Sequence, residues 1–173
     1  MIELESVEQT GLDFADLVRE HQSMVFSLSY HFLHDRELAE EVAQEVFLTL
    51  HRHLEDIKSP AHASFWLRKV AAQRAIDATR RRKRRPQVAL DDVAEPAARP
   101  VANDPMLSEV LRRLVATLPE TPRMVMVMRY QEDMDPAEIA EVLEMPLGTV
   151  KSHLQRSLSL LREKLQRRGV GEI

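Results

Sequence analysis

The sequence predicts an all-α protein of two small helical domains joined by an extended linker. Its 173 residues include only four glycines and are rich in Leu, Ala, Glu and Arg, a composition that favours helices over strands. Apolar residues recur at helical spacing in both halves. Between the halves, residues 86–105 hold four prolines and five alanines without a clear period, which is typical of an extended linker. The predicted domains are therefore 1–85 and 106–173.

Three helices are predicted in the N-terminal domain. The spacing of apolar residues predicts the first over 13–32 and the second along a ridge of every fourth residue from Leu38 to Leu54. The third is expected from about Ser64 to Arg85, ending at a proline. Just before it, a Ser–Pro pair at 59–60 favours a turn or a helix start, since Ser is a good cap and Pro fits the first helical position.

About four helices are predicted in the C-terminal domain. An Asp–Pro pair at 104–105 starts one that stops at Pro119, and Thr121 with Pro122 starts the next. Asp135 and Glu138 have the spacing of a capping box, with a proline at the first helical position.

Charge is distributed very unevenly behind the formal net charge of −4. Residues 1–57 carry 13 acidic side chains against 3 basic ones, whereas residues 58–85 carry 1 acidic against 10 basic. A charge run is often only a solvated face. The abrupt reversal predicts separate surfaces for partners of opposite charge.

Several classes of function are disfavoured by the composition. The chain has no cysteine, which excludes disulfides and thiolate metal sites and fits a reducing cytoplasm. No apolar run is long enough to cross a bilayer, and the acidic start is not a signal peptide. His51 and His53 would project about 200° apart on a helix and would not hold one ion between them. We therefore expect no enzyme, no cofactor, no metal and no membrane insertion.

Residues 135–158, DPAEIAEVLEMPLGTVKSHLQRSL, have the pattern of a helix-turn-helix. Pro146 stops the first helix, and Gly148 is expected to permit a tight entry into the second. The residues predicted to face inward form a ridge of Val150, Leu154, Leu158 and Leu161. Polar and basic side chains would then point outward, and Arg and Gln suit bidentate contacts with guanine and adenine. The alternative is an ordinary surface helix with a polar face.

Two sets of motifs resemble one known family, and they occur along the chain in the same order as in that family. The segment LPETPRMVMVMRYQEDMDPAEIAEVLEMPLGTVKSHLQRSLSLLREKL is similar to region 4 of bacterial sigma factors of the extracytoplasmic-function (ECF) group. LAEEVAQEVFLTL (38–50) resembles their region 2.2, and FWLRKVAAQRAIDATRRRKRR (65–85) resembles regions 2.3–2.4. The resemblance implies a dissociable subunit of RNA polymerase whose N-terminal domain binds core enzyme and melts the −10 element of promoter DNA. The C-terminal domain would read the −35 element, and an anti-sigma factor would hold the protein inactive.

Site residues follow from the same resemblance. Polymerase binding is implied for Glu37, Glu41, Gln44, Glu45 and Leu48. Contact with the −10 region is implied for Lys58, Ser59, His62, Ser64, Trp66, Arg80, Arg81, Arg82, Lys83, Arg84 and Arg85. At the −35 element, Ser152, Gln155 and Arg156 would face bases, and Thr149, Lys151 and His153 would lie near phosphates. Trp66 is as consistent with a core residue as with a stacking platform. Six adjacent cations at 80–85 would repel one another without an anion, and DNA phosphate is the natural one.

One alternative shares part of this pattern. The TVKSHL string is also found in stand-alone regulators of the quorum-sensing type. Such a regulator would need a sensory or receiver domain upstream, and receiver domains contain buried strands. Residues 1–85 show no strand alternation, which favours the sigma-factor interpretation.

Overall fold

Seven α-helices make up most of the described chain. The structure is a computed structural model that describes residues 11–85 and 105–169, and within those ranges it contains no strand. The helices are α1 (Phe14–Leu33), α2 (Arg36–Arg52), α3 (Pro60–Arg84), α4 (Pro105–Ala116), α5 (Glu120–Tyr130), α6 (Pro136–Val142) and α7 (Leu147–Arg167), with a 3-10 turn at Leu54–Asp56. The predicted all-α fold is confirmed. Of the predicted linker, 86–104 lies outside the described residues, and Pro105 begins α4.

The N-terminal helices begin where local capping chemistry places them. The Asp35 carboxylate accepts a hydrogen bond of 3.0 Å from the Leu38 N–H and caps α2. The Ser59 hydroxyl accepts one of 3.1 Å from the His62 N–H. Helix α3 therefore starts at Pro60, one turn earlier than predicted.

Helices α1, α2 and α3 pack as a three-helix unit. Apolar residues of α1 and α2, such as Val25, Leu28 and Val46, are fully buried. The facing side of α3 is lined mainly by small residues, including the fully buried Ala71 and Ala75. Small side chains allow the three helices to approach closely, and the exposed faces of α2 and α3 are left available to partners.

The C-terminal helices α4 to α7 pack around α5, and they also contact the N-terminal unit. Buried apolar residues of α5 to α7, including Met128, Ile139 and Val150, belong to the same apolar cluster as the core of α1 to α3. The contacts run between α1 and α5 and between α3 and α6. No pattern in the sequence predicts this association.

Candidate nucleic-acid and partner interfaces

The helix-turn-helix is formed by α6 and α7. Asp135 and Glu138 make the predicted capping box, in which each side chain accepts a backbone N–H of the other, at 2.9 and 2.8 Å. Helix α6 ends at Val142, and the Met145 N–H donates back to the Ala140 carbonyl at 3.0 Å. The predicted capping at the start of this motif is confirmed.

The residue that makes the turn is Glu144 and not Gly148. Glu144 adopts a left-handed backbone with φ of 52°, whereas Gly148 lies in the first turn of α7 without a left-handed φ. A Cβ added at Gly148 would meet no atom within 4 Å. Gly148 was expected to permit a tight entry, but neither its backbone nor its surroundings require glycine.

Helix α7 separates its apolar and polar faces as predicted. Val150 is fully buried and Leu161 is nearly so, while Leu154 and Leu158 pack partly buried against the core clusters. The outward side carries the predicted DNA-contacting side chains. Thr149, Lys151, Gln155 and Arg156 are exposed, and Ser152 and His153 are half-buried. The structure thus brings these six residues onto the first turns of one helix, where donors and cations converge.

The predicted polymerase-binding residues lie on the outer side of α2. Glu37, Glu41 and Gln44 are exposed, Glu45 is partly buried, and Leu48 is 59% exposed. Leu48 and Gln44 border an apolar groove of about 760 Å³ between α1 and α2. Its apolar lining includes Phe14, Phe26 and Phe47. An acidic strip beside an apolar groove can bind a partner that offers both basic and apolar side chains.

The acidic face of α2 adjoins the basic end of α3. Arg81 pairs with Glu45 at 3.8 Å, and Arg82 pairs with Asp35 at 3.2 Å. The charge pattern predicts separate surfaces for partners of opposite charge, and the structure places these two faces next to each other. Segments of opposite charge attract and pack side by side, so the two candidate surfaces share an edge.

Four of the six cations at 80–85 pair with carboxylates of the protein itself. Besides the pairs of Arg81 and Arg82, Glu120 of α5 accepts hydrogen bonds from Arg80 at 3.0 Å and from Lys83 at 3.3 Å. These four cations keep side-chain exposures of 45–63%. DNA phosphate is therefore not the only anion that relieves their repulsion, although they remain accessible to it.

The predicted base-capture segment at the start of α3 is partly occupied by its own hydrogen bonds. The hydroxyl of Ser59 serves as the helix cap, and that of Ser64 accepts from Arg68 Nη1 at 2.9 Å. His62 Nδ1 accepts from the exposed Lys58 backbone N–H at 3.2 Å. An incoming base would compete with these contacts for the same atoms.

Trp66 is half-buried and packs against the apolar core, and its ring centre lies 6.2 Å from that of His53. One side of the indole is thus a core contact. A base would have access only to the part of the ring that remains exposed.

Two further contacts join the two halves through residues that belong to no motif of their own in the sequence. The Arg123 guanidinium is 8% exposed, lies over the Phe32 ring at 5.0 Å and donates to the Leu118 carbonyl at 3.0 Å. The Lys69 ammonium on α3 pairs with Glu144 in the helix-turn-helix. The only sequence feature that could have indicated the burial of Arg123 is its position directly before a run of apolar residues.

Residues 11–85 and 105–169 contain neither a metal-binding cluster nor a membrane-spanning helix. Among these residues, no group of three or more His, Cys, Asp or Glu side chains could hold a metal ion. None of the described helices is long and apolar enough to span a bilayer. His53, one of the two histidines considered as ligands, instead pairs with Asp56 at 3.1 Å.

Comparison with known proteins gives the same division of the chain. The model for Sigma-70 region 2 matches residues 17–85, and the model for Sigma-70, region 4 matches residues 108–161. The ECF RNA polymerase sigma factor SigW of Bacillus subtilis (strain 168) is 30% identical over 170 residues, which cover 88% of this chain and 89% of SigW. The chain belongs to the ECF RNA polymerase sigma factors. The ECF RNA polymerase sigma-E factor of Escherichia coli (strain K12) is 29% identical over 163 residues, covering 87% and 85% of the two chains.

Two solved structures show that this ECF sigma factor also shares the fold. CnrH in complex with the cytosolic domain of CnrY matches with a TM-score of 0.64 at 19% identity, covering 89% of this chain and 88% of CnrH. RpoE in complex with the anti-sigma factor NepR from Bartonella quintana matches with a TM-score of 0.73 at 16% identity, covering 89% and 97%. The alternative of a stand-alone quorum-sensing-type regulator is not favoured, because the match to region 2 covers most of the N-terminal half.

Proposed function

We propose that this ECF sigma factor divides promoter recognition and polymerase binding among three described surfaces. The outer face of α7 reads the −35 element, the start and the basic end of α3 contact the −10 region, and the outer face of α2 docks on core RNA polymerase. The observation that carries the proposal is the outer face of α7. Six donor or cationic residues lie on its first turns, while Val150 on the opposite side is fully buried.

Reading of the −35 element would combine base and phosphate contacts. Gln155 and Arg156 are exposed and have the geometry for bidentate contacts with adenine and guanine, and the hydroxyl of Ser152 suits either base. Thr149, Lys151 and His153 lie near the start of α7, where a phosphate would also meet the positive end of the helix. These side chains would fix the position of the helix in the major groove.

At the −10 region, the contacts made by the basic end of α3 would be largely independent of sequence. Arg80 to Arg85 form a cationic helix end that would follow the phosphate backbone. Lys58, Ser59, His62, Ser64 and Trp66 lie at or just before the start of α3 and would receive an unstacked base of the opened strand. Extruding a base costs a few kcal/mol, which stacking and new hydrogen bonds offset.

Docking on polymerase would use the acidic strip of α2 and the exposed apolar side chain of Leu48 beside it. Glu37, Glu41 and Glu45 would attract a basic surface, while Leu48, 59% exposed, would add apolar burial. Gln44 lies at the same edge and would donate and accept hydrogen bonds.

An anti-sigma factor is the proposed regulator. Two proteins of similar fold have been solved with such partners, namely CnrH with the cytosolic domain of CnrY and RpoE with NepR. A protein that covered the face of α2 or α7 would block polymerase or promoter. Because the factor works with RNA polymerase, we place it in the cytoplasm, and we propose a binding role without catalysis, cofactor or metal.

Transcription in vitro tests the proposed function directly. The full chain would be added to core RNA polymerase on genomic DNA fragments, and the start sites of the transcripts would be mapped. We expect starts at defined promoters that share sequence near −35 and −10 and that depend on the added chain. If the chain never associates with core enzyme but selects DNA alone, the stand-alone regulator is the correct interpretation.

A further inference from the structure

His53 lies beside Trp66, which belongs to the proposed base-capture segment at the start of α3. The centre of the imidazole ring is 6.2 Å from that of the indole, and the two ring planes are tilted by 47°. This distance is within the range of direct aromatic contact. His53 itself stands at the end of α2, outside the segment from Lys58 to Trp66. The two rings therefore bring two separate helices together at this corner of the domain.

The backbone of His53 is held from both sides, whereas its side chain is accessible. The N–H donates to the carbonyls of Thr49 and Leu50 at 3.1 Å each, and the carbonyl accepts from the Asp56 N–H at 2.9 Å. Directly after this turn, Ile57 is fully buried and anchors the chain to the core. The side chain of His53 is 53% exposed. It therefore offers an accessible ring on a fixed support, which a residue that binds a ligand specifically requires.

Asp56 determines which nitrogen of the His53 ring carries a proton. A carboxylate oxygen of Asp56 lies 3.1 Å from Nδ1 of His53. An ionised carboxylate only accepts hydrogen bonds, so Nδ1 is the donor of this pair. In the neutral ring Nε2 is then an unprotonated acceptor. Within residues 11–85 and 105–169, no group donates a hydrogen bond to this Nε2.

The polar side chains at the start of α3 supply donors beside this acceptor. The hydroxyls of Ser59 and Ser64 each accept a hydrogen bond within the protein and can still donate one. Nδ1 of His62 accepts from the Lys58 N–H, which leaves Nε2 of His62 as a donor. The ammonium group of Lys58 only donates. Nε2 of His53 adds an acceptor to this set.

Several donors with one acceptor fit a base that carries an exocyclic amino group next to a ring nitrogen. Adenine and cytosine have this pattern, since their amino groups donate and the adjacent ring nitrogens accept. Guanine and thymine present a carbonyl oxygen in place of the amino group, and an unprotonated Nε2 would repel it. A phosphate fits this corner poorly, because the exposed carboxylates of Glu55 and Asp56 would repel it.

We propose that His53 reads the exocyclic amino group of an unstacked −10 base, adenine or cytosine, which stacks on the exposed part of Trp66. Nε2 of His53 accepts the hydrogen bond, and Asp56 is the positioning residue that keeps this nitrogen unprotonated. The inference rests on the proposed contact between the start of α3 and the −10 region. It adds a residue of α2 to a site otherwise formed by α3 and the residues just before it.

Base preference of the holoenzyme tests the role of His53. Core polymerase with the full chain would be bound to promoter DNA, taken from the mapped start sites, in which each non-template base near −10 is varied in turn. His53→Ala should reduce the preference for adenine or cytosine at one position by about three- to ten-fold, the effect of one hydrogen bond. His51→Ala is the matched control, because His51 is also exposed but contacts Phe14. An unchanged preference at every position in the His53 variant overturns the inference.

His53→Phe separates the hydrogen bond from the aromatic contact. Phe keeps a ring beside Trp66 but has no Nε2, so we expect the same loss of base preference as with Ala. The affinity of both variants for core polymerase should equal that of the unmodified chain, which shows that they fold. Retention of the base preference by the Phe variant would mean that the ring alone is responsible, and the proposed hydrogen bond would be wrong.

A base analogue without the amino group identifies the atom that is read. At the position found, purine would replace adenine, or the analogue of cytosine that lacks its amino group would replace cytosine. The unmodified chain should bind the analogue about three- to ten-fold more weakly than the natural base. His53→Ala should bind both equally. An equal loss in the two proteins means that another residue reads the amino group, which overturns the inference.

Asp56→Ala tests the positioning role. Without the carboxylate the His53 ring is free to carry its proton on Nε2, so part of the same base preference should be lost at the same position. In the His53→Ala background, Asp56→Ala should cause no further loss. Glu55→Ala removes a neighbouring exposed carboxylate and is the control. Additive losses from His53→Ala and Asp56→Ala would contradict a role of Asp56 through His53. If the unmodified holoenzyme shows no base preference near −10, the proposed function itself fails, and this inference fails with it.

Discussion

The guanidinium carbon of Arg123 lies 5.0 Å from the centre of the Phe32 ring, so a cation of α5 stacks on an aromatic residue of α1. Phe32 is fully buried and Arg123 is 8% exposed. Burial lowers the pKa of Arg123. An arginine in a protein nevertheless remains charged. A buried cation is stabilised only if its hydrogen bonds and its neighbours offset desolvation. Here the Leu118 carbonyl and the ring perform that role.

Truncation of this cation is expected to destabilise the protein. Arg123→Ala removes the hydrogen bonds to the Leu118 carbonyl and the contact with the ring, and it leaves a cavity. We expect the free energy of unfolding to fall by about 2–4 kcal/mol, measured by urea denaturation. Arg113→Ala, at an exposed ion pair, is the control and should cost less than about 0.5 kcal/mol. Equal effects of the two variants would show that the stacked cation has no special role.

Stability is expected to depend on pH through His34. Burial, together with charge repulsion from Arg112, His31, Arg123 and Arg82, lowers the pKa of His34 from 6.5 to about 4. The unfolded chain binds a proton near pH 6.5, while the folded chain binds it only near pH 4. The stability that this residue contributes is therefore complete above pH 6.5 and is lost as the pH falls toward 4.

His34→Asn tests this pH dependence. Asn tolerates the left-handed backbone at this position, where φ is 52°, and it does not titrate. The melting temperature of the variant should fall less between pH 7 and pH 5 than that of the unmodified chain. Burial raises the pKa of Glu132, so this residue stabilises the fold as the pH falls, opposite to the effect of His34. Because Glu132 is present in both proteins, its effect cancels in the comparison. Parallel melting profiles would contradict the assignment to His34.

Base reading by α7 is tested at Arg156. Arg156→Ala removes an exposed guanidinium suited to guanine and should weaken binding to the −35 element by about 1–3 kcal/mol. Base preference at that position should relax as well. Holoenzyme binding to promoters with single substitutions at −35 measures both effects. Arg162→Ala, exposed on a different side of the same helix, should leave base preference unchanged. A uniform loss on all sequences would indicate a phosphate contact instead.

Polymerase docking is tested by charge reversal on α2. Glu41→Lys with Glu45→Lys should abolish binding to core polymerase, because the acidic strip would then repel a basic partner. Circular dichroism should show that the fold survives, although the pair between Glu45 and Arg81 is lost. Glu55→Lys with Glu163→Lys reverses two exposed charges elsewhere and should bind normally. Normal binding by the α2 variant would remove this face from the interface.

The basic end of α3 is tested at two exposed arginines. Among the described residues, no carboxylate lies within ion-pair distance of Arg84 or Arg85. Arg84→Ala with Arg85→Ala should lower the affinity of the holoenzyme for all promoters alike and reduce the slope of log affinity against log salt by about 2. Arg112→Ala with Arg113→Ala, on α4, is the control. An unchanged slope would exclude phosphate contacts by the two arginines.

Local sequence signals predicted the helices well. The apolar spacing of α1 and α2, the cap at Asp135 and the inward ridge of α7 all depend on residues within a few positions of one another. The apolar spacing predicted that α3 starts at about Ser64. The helix starts one turn earlier, because Ser59 caps it and Pro60 occupies its first position. The sequence did not indicate the left-handed residue of the turn, because Glu144 adopts a conformation that non-glycine residues rarely adopt.

Contacts between segments that are distant in the sequence could not be predicted from local patterns. The bonds of Glu120 to Arg80 and Lys83, and of Ser27 to Glu132, join residues 37 to 105 positions apart. Nothing local distinguishes Glu120 from any other acidic residue at the start of a helix. The outward orientation of the candidate DNA-contacting residues on α7 was predictable, because it follows from the helical period. The internal partners of the α3 cations were not, because they depend on how the two halves pack.

In the proposed assignment, Arg80 and Lys83 would contact DNA phosphates in place of the Glu120 carboxylate. Mobile ions screen the carboxylate of Glu120 and the phosphates of DNA alike. Added salt would therefore weaken both contacts, so binding of DNA by these two cations should respond less steeply to ionic strength than binding by a cation that has no carboxylate beside it.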